Sequence, residues 1–159
     1  MKDANTPAFH LEEFTPYRLA RAAQLMSDAF AETYRKRFGL SVSDWRVLVH
    51  VSDIDTAKGG SASIRDIEAR VGMEKSKVSR AASRLVARGL LTKTTSTSDK
   101  RLVSLSLTDQ GAALMAELLP LARAFQNKIE AELGASLSAL DRGLDAVLAR
   151  DMDRPGDAD

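Results

Sequence analysis

Lys75, Lys77, Arg80, Arg84, Arg88, Lys93, Lys100 and Arg101 put eight positive charges into 27 residues that hold one acid, Asp99. The whole chain carries a formal net charge of only +1, so the positions outside this run are net negative. Cations this concentrated on an otherwise acidic chain point to a polyanionic partner, and their layout points to duplex DNA. The chemistry on offer is ion pairing with phosphate and hydrogen bonding with base edges. At about 100° per residue, Lys77, Arg84 and Arg88 fall within roughly 20° of one another on a helix, with Arg80 about 60° away. Ser76 and Ser83 flank that face, while Val78, Ala82 and Leu85 gather on the other side. Such a helix buries one face and offers a cationic one. It fits the major groove, where side chains of its first turns reach base edges and later Lys or Arg residues meet phosphate. A solvated basic face on an ordinary surface helix has the same pattern.

The elements that must position these residues are legible on either side. Upstream, Ser63-Ile64-Arg65-Asp66 matches a capping box, with Asp66 in place of the preferred Glu or Gln. Ile64, Ile67 and Val71 follow at helical spacing, and Gly72 stands where a helix C-cap needs a left-handed residue. Two short helices joined by a tight glycine turn make a helix-turn-helix. Downstream, Val103, Leu105 and Leu107 alternate with Ser104 and Ser106, the period of a half-buried strand over 102–107. Leu91 to Thr95 is the expected partner, and part of 61–64 can add a third strand. Between the strands lies the polar tip 96–101, which has no glycine and so predicts a loop longer than two residues. A basic hairpin beside a recognition helix is a wing. It can place Arg101 in the minor groove, where negative potential attracts guanidinium, with Asp99 orienting it. The alternative for that pair is a surface salt bridge worth little.

Asp99-Lys100-Arg101, then Leu107-Thr108 and Gly111, resembles the wing signature of the MarR (multiple antibiotic resistance regulator) family. Ser76-Lys77-Val78-Ser79-Arg80 with Arg84-Leu85 and Arg88-Gly89-Leu90 is similar to that family's recognition helix, and Trp45-Arg46-Val47-Leu48 to the helix before it. The likeness runs from about Phe14 to Met152. It implies a mainly α fold with a small β wing: a winged helix-turn-helix over 41–108, flanked by dimerisation helices over 14–40 and 109–152. It implies a homodimeric transcription factor, most simply a repressor on an inverted-repeat operator, with no cofactor. On that reading Ser76, Lys77 and Ser79 contact bases, and Lys75, Arg80 and Arg84 clamp phosphate. Asp99, Lys100 and Arg101 belong to the wing contact. The family also implies an effector pocket, often filled by an aromatic acid, where dimer helices meet the winged helix. Candidates here are His10, Phe14, Tyr17, Arg18, Trp45 and Arg46. An Arg between aromatic walls can hold a carboxylate bidentately; the plainer reading makes Tyr17 and Trp45 core residues and Arg18 a solvated charge.

Length and composition agree. The 159 residues form one unit with a sizeable core. Charged residues at 28% and aromatics at 5% suit a helix-rich domain. There are no cysteines, which excludes a thiol redox switch and thiolate metal sites. The opening residues lack an apolar signal core, so a cytoplasmic location is expected. Further helices are expected from about Pro16 to Phe38, from a Ser43 cap through Val51, from a Thr108 cap through Leu133 with a kink at Pro120, and from Ser136 onward. Positions 53–62 read as a loop and 153–159 as a frayed tail. The terminal helices have more apolar surface than a small winged helix covers, which a symmetric dimer would bury; the alternative is a monomer that folds them onto itself. Catalysis is not expected. No nucleophile elbow, phosphate loop or zinc-protease motif is present, and His10 with Glu13 or His50 with Asp53 supplies too few ligands for a closed zinc site. Two rival readings remain: a nonspecific architectural DNA binder, and a winged-helix module for an acidic protein.

Overall fold

The computed structural model describes residues 9–58, 61–95 and 103–152. Its elements run α1 (Thr15–Phe38), α2 (Val42–Lys58), β1 (Ala62–Ser63), α3 (Ile64–Val71), α4 (Lys75–Ala87), β2 (Leu91–Thr95), β3 (Val103–Leu107), α5 (Asp109–Leu133) and α6 (Leu137–Met152). The chain divides into two compact units inside α5, Met1–Leu119 and Pro120–Asp159. A kink is expected at Pro120 from the sequence. α5 stays helical through it, and the division falls there, where proline removes a backbone donor.

In the first unit the apolar stripes converge. Leu40, Val47, Leu48 and Val51 from α2 and its lead-in meet Ile67 of α3, Val78, Ala81, Ala82 and Leu85 of α4, Leu91 and Leu105 of the sheet, and Met115 and Leu118 of α5, all buried. Each such leucine is worth about 1.5–3 kcal/mol relative to leaving it in water. The Val78, Ala82 and Leu85 face predicted for α4 is thus a core face, joined by Ala81. The sheet is antiparallel with order β1-β3-β2. Leu91 pairs with Leu107, Lys93 with Leu105 and Thr95 with Val103, while Ala62 of β1 pairs with Leu105 on the other side. The third strand expected near 61–64 is therefore present.

Two expectations for α2 are corrected. The helix does not give way to a loop at Asp53 but continues to Lys58, because Ile54 extends the buried stripe of Val47 and Val51 by one more turn. Its cap is Ser41 rather than Ser43. The Ser41 Oγ accepts from the Asp44 amide at 3.1 Å, and the Ser41 amide donates to Asp44 Oδ2 at 2.9 Å, a reciprocal capping box.

His50 is half-buried on α2. Burial holds its imidazole below the ordinary histidine value of 6.5; Arg70 acts in the same direction and Asp53 opposes it. The folded state then resists a proton that the unfolded chain accepts, so stability present above pH 6.5 is lost as the pH falls below that value. Melting at about pH 7.5 and about pH 5.5 should show a larger drop for the wild type than for His50→Gln. Equal drops would contradict this assignment.

The second unit holds the rest of α5, a single 3-10 turn at Gly134–Ser136 and α6. Leu140, Leu144, Val147 and Leu148 lie at helical spacing on α6, and all are exposed, Leu148 at 67%. Among the described residues no helix is long and apolar enough to cross a membrane, and no group of three or more His, Cys, Asp or Glu is placed to hold a metal ion.

Candidate nucleic-acid interface

The interface is built on the turn between α3 and α4. Ser63 caps α3, its Oγ accepting from the Asp66 amide at 3.0 Å, as the sequence pattern predicted. Gly72 ends α3 in the left-handed region at φ 60°, which side chains with a Cβ rarely adopt, and α4 restarts at Lys75. This sharp turn aims the first turns of α4 outward. Lys75, Ser76, Lys77, Ser79 and Arg80 are all exposed there. Arg80 Nε donates to the Ser76 carbonyl oxygen at 3.2 Å, which lays its side chain along the helix. Among the described residues, neither Lys75 nor Lys77 pairs with an acid.

The C-terminal half of α4 behaves differently. Arg84, expected on phosphate, turns toward α2: Nε and Nη2 donate to Asp44 Oδ1 at 3.1 and 2.8 Å, and Nη2 also reaches Ser43 Oγ at 3.2 Å. Asp44 is buried, with a side chain 6% exposed, so the guanidinium satisfies a carboxylate that burial would otherwise penalise. Arg88, one turn on, donates to the backbone oxygens of Phe38 at 2.7 Å and Gly39 at 3.1 Å, at the C-terminus of α1. Lys77, Arg84 and Arg88 share an angular face, but the helix separates them by height. The first turns present charge outward and the last turns anchor the helix.

The wing is joined to α4 through one knot. The Leu90 amide donates to the Leu85 carbonyl and the Gly89 amide to that of Val86, which closes the end of α4. Thr108 Oγ1 donates to the Gly89 carbonyl at 2.6 Å and accepts from the Gly111 amide at 2.9 Å, so the expected cap of α5 is also a tether to α4. Lys93 is exposed on β2. Asp99, Lys100 and Arg101 lie outside the described residues.

The six effector candidates do not converge within one chain. Trp45 packs edge-on against Phe30 and stacks on Tyr34, with ring centroids 5.1 and 5.7 Å away. Arg46 reaches Ser27 Oγ at 3.3 Å. Burial raises the Tyr34 hydroxyl above its ordinary value, so the phenol stays neutral. His10, Phe14, Tyr17 and Arg18 instead sit at the start of α1 or just before it, roughly 20 Å further along that helix at 1.5 Å per residue. There Phe14 meets Phe9 edge-on at 5.3 Å, and Tyr17 Oη accepts from Arg21. Phe30 and Tyr34, the walls around Trp45, fall inside the helix expected from about Pro16 to Phe38 and are not among the site residues expected from sequence.

A helix-turn-helix with an antiparallel wing, its N-terminal recognition turns exposed and cationic, defines the class as winged helix-turn-helix. The comparisons place it further. Residues 38–102 match the model described as the MarR family. BpsR of Bordetella bronchiseptica, whose DNA binding is regulated by 6-hydroxynicotinic acid, is similar at 27% identity and TM-score 0.70, over 96% of this chain and 99% of that one. A MarR family transcriptional regulator of Silicibacter pomeroyi is 29% identical at TM-score 0.71, over 89% and 99%. A MarR/EmrR family transcriptional regulator of Acinetobacter matches at TM-score 0.75 over 91% and 99%; at 19% identity it shows the fold alone. A comparison with curated protein sequences finds no match. Residues 38–102 thus match the MarR family, and the chain is similar to a solved MarR family transcriptional regulator over 89% of its length.

Proposed function

We propose that this protein is a homodimeric repressor that binds an inverted-repeat DNA operator and leaves it when a small aromatic acid binds. The observation that carries the reading is the exposed cationic start of α4, where Lys75 and Lys77 pair with no acid among the described residues, set by the Gly72 turn against a buried apolar face. Ser76, Lys77 and Ser79 read base edges. Lys75 and Arg80 meet phosphate, and Arg101 of the wing enters the minor groove beside Asp99 and Lys100. The exposed apolar stripe of α6, with Leu25 and Met26 exposed on α1, supplies surface that a second copy would cover. The effector part draws on BpsR, which responds to an aromatic acid. In this chain Arg46 stands next to Trp45, the residue pairing that suits a carboxylate on a ring. Such a ligand acts only by binding one arrangement of the two recognition helices better than the other.

Selection from a random duplex library tests the reading. It should recover an inverted repeat whose half-site centres lie about 10–10.5 base pairs, or a multiple of that, apart. Recovery of no sequence would favour an architectural binder, and no retention of DNA at low salt would favour a protein partner. With the site in hand, Lys77→Ala should relax base preference at particular positions by about 1–3 kcal/mol. A uniform loss on all sequences would make Lys77 a phosphate contact instead.

A further inference from the structure

We infer that Arg88 is a positioning residue: with Arg84 it ties the C-terminal half of the recognition helix to the junction between α1 and α2, and so sets the aim of the base-reading turns. The inference rests on the DNA-binding reading above but concerns residues that reading does not place on DNA. By composition both arginines belong to the basic face. In the structure both remain exposed but donate to the junction between α1 and α2.

The junction spans Phe38 to Asp44. Arg88 grips its first part through two donors, Nη1 on Gly39 O and Nη2 on Phe38 O. These oxygens lie at the end of α1, where helix carbonyls lack intrahelical partners and the dipole favours a cation. Arg84 grips the other part, on Asp44, on the Ser41 hydroxyl that caps α2 and on the neighbouring Ser43 hydroxyl. Two planar forks at successive turns fix the rotation of α4 about its own axis, which apolar packing of small residues such as Ala81 and Ala82 leaves loosely specified. Rotation is the variable that matters for Ser76, Lys77 and Ser79, two to three turns away on the same rigid helix. Movement of α1 relative to α2 would also reach α4 through these contacts.

The test compares wild type, Arg88→Ala and Arg88→Lys as full-length protein on the selected operator and on scrambled DNA across a salt series. Arg88→Lys keeps the charge but loses the fork that spans two oxygens. Positioning predicts that both variants lose about tenfold or more in preference for operator over scrambled DNA, the scale of one misaimed base contact. It also predicts an unchanged dependence of affinity on salt. If Arg88 were a phosphate contact, Arg88→Ala would lower the slope of log affinity against log salt by about 0.9 per contact, and Arg88→Lys would resemble wild type. That outcome overturns the inference, as does wild-type preference in both variants. Should Arg88→Ala not fold, Arg88→Lys carries the comparison. Failure of the wild type to bind DNA would sink the DNA-binding reading separately. Amide exchange over 84–90 then tests the anchor without DNA: faster exchange in Arg88→Lys supports it, and unchanged exchange overturns it.

Discussion

Gly111→Ala should destabilise the winged helix by about 3 kcal/mol or more, the upper end of what overpacking a fixed site costs. A Cβ at this position would press into the carbonyl oxygen of Leu90 and stand 3.1 Å from Leu107 Cδ2. The oxygen cannot retreat. It accepts from the Thr108 amide at 3.2 Å, and Thr108 in turn holds Gly89 and Gly111 itself. Gly111 is therefore the point where α5 touches the start of β2, and only a hydrogen fits between them. Gly143 on α6 is the control, because a Cβ there meets nothing within 4 Å. Gly143→Ala should be neutral or gain about 0.5–1 kcal/mol from helix propensity. Urea unfolding of the two variants reads the difference directly. A Gly111→Ala protein as stable as wild type would mean that the Thr108 knot yields easily.

On the proposed function, replacing Lys75, Lys77 and Arg80 together by alanine should weaken operator binding by about a thousandfold or more at moderate salt, because the proposed dimer would lose six contacts to phosphate and bases at once. The fold should survive, since all three side chains are exposed and none packs in the core. The slope of log affinity against log salt should flatten by about 0.9 for each phosphate contact removed. Equilibrium titration by fluorescence anisotropy, with melting temperature as the control for folding, gives both quantities. Loss of binding with an unchanged slope would assign these residues to positioning rather than to charge neutralisation.

The sequence announced most of what local rules govern. The turn at Gly72, the Ser63 cap, the apolar face of α4 and the alternation of β3 each depend on neighbours within a few residues, and each is where the pattern put it. Even the Ser41 cap was legible, since Ser41-Val42-Ser43-Asp44 has the same spacing as Ser63 to Asp66. The extension of α2 to Lys58 was hidden by its polar residues Asp53, Asp55 and Thr56, which resemble a loop until Ile54 is seen to be buried. What no local rule could supply was the direction of the arginines. Arg84 finds Asp44 forty residues earlier, and Arg88 finds Phe38 fifty residues earlier. A helical wheel records angle and not height, so it placed them with Lys77. Within one chain the effector candidates lie in two groups, since Phe14 and Tyr17 stand at the start of α1, several turns from the Phe30 and Tyr34 that pack on Trp45.

The central claim is that this chain reads a DNA sequence through an exposed cationic helix. Binding to the intergenic DNA upstream of its own gene, beside a scrambled duplex of equal length, at low and at moderate salt, tests it most directly. A strong preference for the native duplex, with affinity falling steeply as salt rises, is the expected result. Equal affinity for both duplexes, or no binding to either at low salt, would contradict it.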